Sequence, residues 1–182
     1  MLTTATPLPG VLLLEPKLFA DARGFFMESF NQRVFESAVG FAVSFVQDNH
    51  SCSERGVLRG LHYQLPPHAQ GKLVRVVQGR AFDVAVDIRR GSPSFGRWYG
   101  ATLDALRHQQ MWIPPGFAHG FLALENDTHF LYKTTDYYAR DCERTIAWND
   151  PALAIDWPDL GSPPLLADKD ASAPLLADAQ TF

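Results

Sequence analysis

Ala81-Phe82-Asp83-Val84-Ala85-Val86-Asp87-Ile88 alternates residue by residue: Phe82, Val84, Val86 and Ile88 interleave with Ala81, Asp83, Ala85 and Asp87. A β-strand sends successive side chains to opposite faces, so this run makes one apolar row and one row that carries carboxylates. Working outward, similar period-two runs lie at 24–30, 41–51, 71–78, 98–103, 110–113, 118–123 and 128–134, divided by Gly, Pro and Asn/Asp punctuation. One short helix is predicted between them, with Asn31 as its cap, Val34, Phe35 and Ala38 on one stripe, and Gly40 to end it. Many short antiparallel strands with few and short helices predict a mainly β fold, closed as a double-sheet jelly-roll barrel.

The chain has 182 residues and is 46% hydrophobic, enough to bury one substantial core, and a single domain over 1–182 is expected. Its net charge of −4 lacks the basic footprint of a nucleic-acid binder and gives no pull toward a membrane surface. Twelve Arg stand against four Lys, and guanidinium groups grip phosphate bidentately, so a small phosphorylated ligand is admissible. Cys52 and Cys142 are too few for a disulfide framework and are read as reduced thiols. The N-terminus has no basic region followed by an apolar stretch, and no run approaches bilayer-crossing length; a cytoplasmic protein is expected. After Trp148-Asn149-Asp150-Pro151 the composition shifts to Pro, Ala, Leu and Asp, which by itself suits a solvent-exposed end.

Two local features bear on function. Gln47, Asn49 and Ser51 share a strand face, which fits either a ligand cavity or a solvated outer face. His62, in Val57-Leu58-Arg59-Gly60-Leu61-His62-Tyr63-Gln64, is the side chain whose ordinary pKa lies nearest neutrality, so inside a barrel it is the first candidate for proton transfer. A second histidine, His119, follows the turn of Ile113-Pro114-Pro115-Gly116-Phe117-Ala118-His119-Gly120-Phe121. That segment resembles the Pro-x-Gly-x-x-His element of the cupin superfamily, whose jelly-roll barrels commonly bind a metal through an earlier His-x-His and glutamate together with this later histidine. Here the earlier element is His62-Tyr63-Gln64 with no glutamate at the matching spacing, a poor donor set, so no metal is expected.

A closer likeness emerges from six ordered blocks: Asp21-Ala22-Arg23-Gly24-Phe25-Phe26 with Glu28, Gln47-Asp48-Asn49-His50-Ser51, Arg59-Gly60-Leu61-His62-Tyr63-Gln64, Gly71-Lys72-Leu73-Val74-Arg75-Val76, Asp87-Ile88-Arg89 with Ser92-Pro93, and Gly116-Phe117-Ala118-His119-Gly120-Phe121. Together they resemble the dTDP-4-dehydrorhamnose 3,5-epimerase family, over about 8–174. The resemblance implies a cupin-type double-stranded β-helix. It also implies inversion at C3 and C5 of a dTDP-linked 4-keto-6-deoxy sugar, the third step toward dTDP-L-rhamnose, with no cofactor. A hydrogen beside a ketone becomes abstractable when the enolate oxygen is held by preorganised charge, and inversion follows if a proton returns from the other face.

By this resemblance His62 is the base and an aspartate following a lysine in the tail orients it. That motif is Lys169-Asp170, with Asp168 an adjacent alternative, and it requires the segment 151–182 to pack back over the barrel. Tyr132, which shares a strand face with Phe130 and Thr134, is the opposing acid, and Lys72 the enolate stabiliser. Arg23 and Arg59 are implied as diphosphate clamps, and His119 as a sugar or phosphate contact. Gln47, Asn49, Glu28, Phe19, Phe26 and Tyr138 resemble nucleotide-binding positions, with Glu143 and Lys169 among the substrate contacts. Strict alternation sets Arg59 on the face opposite His62, and Gly60 between them would mark a bulge that re-aims one of the two. The resemblance further implies a homodimer that exchanges N-terminal strands, so that Arg23, Phe26 and Glu28 reach the partner's site. Three other readings stay open: an epimerase of one centre only, a noncatalytic nucleotide-sugar-binding cupin, and a metal-dependent cupin enzyme.

Overall fold

In the computed structural model, which describes residues 1–182, the alternating run lies in β8 (Arg80–Asp87). The other strands in chain order are β1 (Leu2–Ala5), β2 (Leu12–Glu15), β3 (Leu18–Asp21), β4 (Gly24–Met27), β5 (Gln47–Ser53), β6 (Leu58–Gln64), β7 (Lys72–Gln78), β9 (Trp98–Asp104), β10 (Gln110–Ile113), β11 (Phe117–Ala123), β12 (Thr128–Thr134) and β13 (Glu143–Thr145). A six-stranded sheet in the order β1-β2-β10-β7-β12-β5 faces a five-stranded sheet in the order β13-β6-β11-β8-β9, while β3 and β4 form a separate hairpin. All strand pairs within these sheets are antiparallel, giving the two-sheet jelly roll of the cupin-like fold.

Three apolar clusters hold the layers. Between the sheets, Val74, Val76, Met111, Ile113 and Phe130 of one meet Ala81, Ala85, Leu103, Phe117 and Phe121 of the other. Outside the five-stranded sheet, Val84, Val86, Ile88, Leu61 and Tyr63 are covered by Leu153, Leu176 and Ala179 of the tail. The face of β8 that bears Asp83 and Asp87 is therefore the one turned into the barrel, and its fully apolar face supports the tail. Both carboxylates are fully buried. Asp87 meets Arg89 at 2.7 Å and accepts from the hydroxyls of Ser92 and Ser94; burial opposes its charge, but these donors hold its pKa at about 2.

Outside the six-stranded sheet, Leu14, Leu73 and Trp112 pack under Phe35 and Val43. Phe35 belongs to α1 (Gln32–Val39), where the Asn31 side chain accepts from the Val34 N–H at 3.2 Å and Gly40 closes the helix in the left-handed region at φ 86°. Phe35 is the residue of the expected stripe that is fully buried, whereas Val34 remains exposed because the helix lies on the sheet by one edge. The strand expected over 41–51 begins only at Gln47, since Val43 and Phe45 pack beneath the helix instead of pairing.

The tail is tied down along its length. Val57 and Leu165 form a parallel bridge, with Leu165 N–H donating to the Gly56 carbonyl at 2.8 Å and Leu58 N–H donating to Leu165 at 3.0 Å. Tyr63 hydroxyl donates to the Gln180 carbonyl, and Phe182 exchanges backbone hydrogen bonds with Ile88 and Arg90. Between these anchors, a single turn, α2 (Asp168–Ala171), delivers Asp170 to the barrel.

Candidate active site

Between the sheets, and roofed by the tail, lies a cavity of about 590 Å³. Eleven residues anticipated from sequence line it: His62, Tyr132, Asp170, Lys72, Gln47, Asn49, Arg59, His119, Tyr138, Glu143 and Lys169. Four others do not. Phe19, Arg23, Phe26 and Glu28 lie on or beside the β3–β4 hairpin, where the Arg23 side chain is 90% exposed and meets only Asp21, at 2.5 Å.

His62 and Arg59 share the cavity wall because β6 carries a bulge. His119 pairs with His62 and Phe121 with Arg59, so two steps along β11 match three along β6. Gly60 absorbs the extra residue at φ 138°, and a Cβ there would stand 2.5 Å from Gly120 Cα, so no other residue fits. Arg59 then reaches Ser53 Oγ at 3.1 Å on the facing sheet.

It is Asp170, not Asp168, that meets His62. His62 Nε2 lies 2.5 Å from Asp170 Oδ1, the Gly60 N–H points at Asp170 Oδ2 at 3.4 Å, and the Asp170 side chain is only 2% exposed, while Asp168 is on the surface. The bond fixes Nε2 as the nitrogen shared with the carboxylate and leaves Nδ1 without a protein partner. Burial lowers the His62 pKa below its ordinary 6.5, overcoming the upward pull of Asp170, with Lys169 and Lys72 adding to the lowering. A neutral imidazole at pH 7 is a base ready to take a proton.

The opposite wall belongs to the other sheet. Tyr132 sits between Asn49 and Val74 on β12, and its hydroxyl makes no protein hydrogen bond; burial raises its pKa, keeping it protonated. Lys72 points inward with Val74 and Val76 and donates to the His62 carbonyl at 3.1 Å. Burial lowers its pKa to about 8, so at neutrality it is an ammonium poised within the cavity. Base and acid thus come from facing sheets, with a cation in the same cavity bonded to the base's own carbonyl, which suits proton removal on one face of a ring and return on the other.

At the mouth, Glu143 accepts from Lys169 at 2.9 Å and from the Tyr138 hydroxyl at 3.1 Å, and the Tyr138 backbone N–H donates to Gln47 Oε1 at 3.0 Å. Gln47 and Asn49 bond each other at 2.9 Å, so the polar face of β5 looks into a cavity. His119 Nε2 lies 2.7 Å from Asp83 Oδ1, a contact that sequence reading missed. The signal was present in the parity of β8, but an aspartate on an alternating strand reads as solvated until the facing layer is known. No three His, Cys, Asp or Glu side chains gather to hold a metal ion, and His62 and His119 each commit Nε2 to an aspartate.

Comparison with known proteins places these residues in context. A family model described as dTDP-4-dehydrorhamnose 3,5-epimerase matches residues 5–178. The chain is 60% identical over 182 residues to the dTDP-4-dehydrorhamnose 3,5-epimerase of Pseudomonas aeruginosa, covering 100% of this chain and 99% of that protein. It is 58% identical over 177 residues to the Shigella flexneri protein of the same name, covering 97% of each. The structure also superposes, with a TM-score of 0.94 and 50% identity, on the dTDP-6-deoxy-D-glucose-3,5-epimerase of Legionella pneumophila solved in complex with dTDP-4-keto-L-rhamnose, covering 98% of this chain and 94% of that one.

Proposed function

The chain belongs to the dTDP-4-dehydrorhamnose 3,5-epimerase family, and from that membership we propose how its own residues carry out the reaction. It is an isomerase that inverts C3 and C5 of dTDP-4-dehydro-6-deoxy-D-glucose to give dTDP-4-dehydro-L-rhamnose. His62 Nδ1 removes the proton beside the C4 ketone, and the electron pair moves onto the ketone oxygen as an enolate. Lys72 holds that oxyanion, and the Tyr132 hydroxyl returns a proton to the same carbon from the other face. His62 then loses its proton and Tyr132 regains one through solvent, and the cycle repeats at the second carbon. One proton leaves and one arrives at each centre, so no redox partner is needed.

The observation that carries this reading is the placement of His62, backed by a buried aspartate at 2.5 Å, across the cavity from Tyr132 and Lys72. Arg59 and a second chain's Arg23 clamp the diphosphate, and His119 contacts the sugar. Tyr138 stacks on thymine, joined by Phe19 and Phe26 of the second chain, while Gln47, Asn49 and that chain's Glu28 read its edge, with Glu143 and Lys169 closing the mouth. A homodimer is therefore proposed, supported by the fully exposed strands β1 and β3 and by Phe19, Phe25 and Phe26 on the hairpin surface. We take 1–182 as one domain that includes its tail. No helix is long and apolar enough to cross a membrane, and both cysteines are free thiols, which suits the cytoplasmic location we propose.

Proton NMR of the product formed from dTDP-4-keto-6-deoxyglucose in heavy water tests the double inversion. Deuterium at both C3 and C5 is expected; deuterium at one carbon alone would make this an epimerase of a single centre.

A further inference from the structure

Asp83 is the buried charge that the reaction above leaves unused. It is fully buried on the inner face of β8, it does not line the cavity, and its Oδ1 takes up His119 Nε2 at 2.7 Å. Its Oδ2 is buried without any partner. An unpartnered carboxylate oxygen beneath a site is costly to keep, and a hydroxyl or a methyl at position 83 would avoid the cost, so its charge calls for a role.

Two neighbours supply one. His119 pairs across the sheet with His62, so Asp83 sits behind the strand that stands beside the base. Lys72 of β7 and Asp83 of β8 both lie on strand faces turned into the barrel, from opposite sheets, and the charged or titratable groups that share the cavity with Lys72 include Arg59 and His62 of β6, His119 of β11, Tyr132 of β12, Glu143 of β13, and Lys169 and Asp170 of the tail. Of the carboxylates acting on Lys72, Asp83 acts most strongly, ahead of Glu143, and both favour the ammonium, against burial and Lys169.

We propose that Asp83 is a positioning residue for the epimerisation: one carboxylate oxygen holds the His119 ring with Nδ1 presented to the sugar, and the other, buried without a partner on the sheet opposite Lys72, supports that lysine where the enolate develops. Asp83 acts through these two side chains and touches no substrate. The inference rests on the assignment of Lys72 as enolate stabiliser.

The test is the pH profile of kcat/KM for the wild type, Asp83→Asn, Lys72→Arg and the double variant. The wild-type alkaline limb is expected near 8, the value set by Lys72. In Asp83→Asn it moves to lower pH, so that activity at pH 8.5 falls several-fold more than at pH 6.5, while the acid limb due to His62 stays in place. In Lys72→Arg, whose guanidinium does not titrate in this range, the limb disappears in both backgrounds. A purely structural Asp83 would instead lower activity equally at every pH. If the limb vanishes in Lys72→Arg but does not move in Asp83→Asn, the proposal fails alone; if it persists in Lys72→Arg, the Lys72 assignment fails and takes the proposal with it. Should Asp83→Asn not fold, Asp83→Ser removes the same charge and is read in the same way.

Discussion

His62 and Tyr132 illustrate how burial prepares ordinary side chains for carbon acid chemistry. Burial lowers the imidazole pKa and raises that of the phenol, so at neutrality the base is unprotonated and the acid is protonated. The sign fixes the pH dependence: kcat/KM holds down through 6.5 and falls only as pH drops through the lowered His62 value, and it falls again above about 8 as Lys72 loses its proton. An acid limb above 6.5 would contradict the assignment of the base. Tyr132→Phe keeps the base and removes the returning proton. In heavy water it is expected to exchange substrate hydrogen with little inversion, with product formation reduced by roughly 10²–10⁴-fold; full inversion by this variant would remove Tyr132 from the mechanism. The residues themselves were legible in the sequence as a pattern of blocks, and His62 stood out because imidazole titrates near neutrality. The family resemblance offered Asp170, 108 positions away, as the partner of His62, with Asp168 beside it; what sequence could not supply is the choice between the two, which depends on which of them the turn of α2 buries.

The bulge in β6 and the strapped tail are the two elements that assemble the site. Gly60 occupies backbone that favours glycine, against Gly120 of β11, so Gly60→Ala must displace one strand. It is expected to lower stability by about 1–3 kcal/mol and to abolish activity, because Arg59 and His62 would no longer share a wall. Gly40→Ala makes the comparison: its φ of 86° is also left-handed, but nothing lies within 4 Å of the added Cβ and the helix end is remote from the cavity. Thermal melts with activity assays should show a smaller loss of stability and retained turnover for Gly40→Ala, whose cost is the left-handed backbone alone; retained turnover in both would mean that the bulge does not aim the site. At this scale the sequence was readable where local rules suffice, as at Asn31 and Gly40 bounding α1, and ambiguous where a second layer decides. The 81–88 run announced a strand, yet its carboxylate face proved to be the inner one because the tail, a Pro- and Ala-rich segment without periodicity, covers the apolar face. A tail that brings its own apolar residues turns a sheet inside out relative to the usual expectation.

For the whole molecule, the cavity is furnished by both sheets and the tail of one chain, while Arg23, Phe26 and Glu28 stand on an exposed hairpin away from it. If sites are completed across a dimer, light scattering should give about twice the 20.3 kDa chain mass, and two inactive variants should complement each other. Refolding Arg23→Ala with His62→Asn in equal amounts pairs half of the chains as heterodimers, each with one intact site of two, so about a quarter of wild-type activity should return. No recovery would place Arg23 outside the neighbour's site. The account as a whole depends on one imidazole serving both carbons of the ketosugar. Incubating His62→Asn with dTDP-4-keto-6-deoxyglucose in heavy water and following C3 and C5 by proton NMR tests that directly: neither carbon should take up deuterium beyond the rate without enzyme, and enzyme-dependent exchange at either one would contradict it.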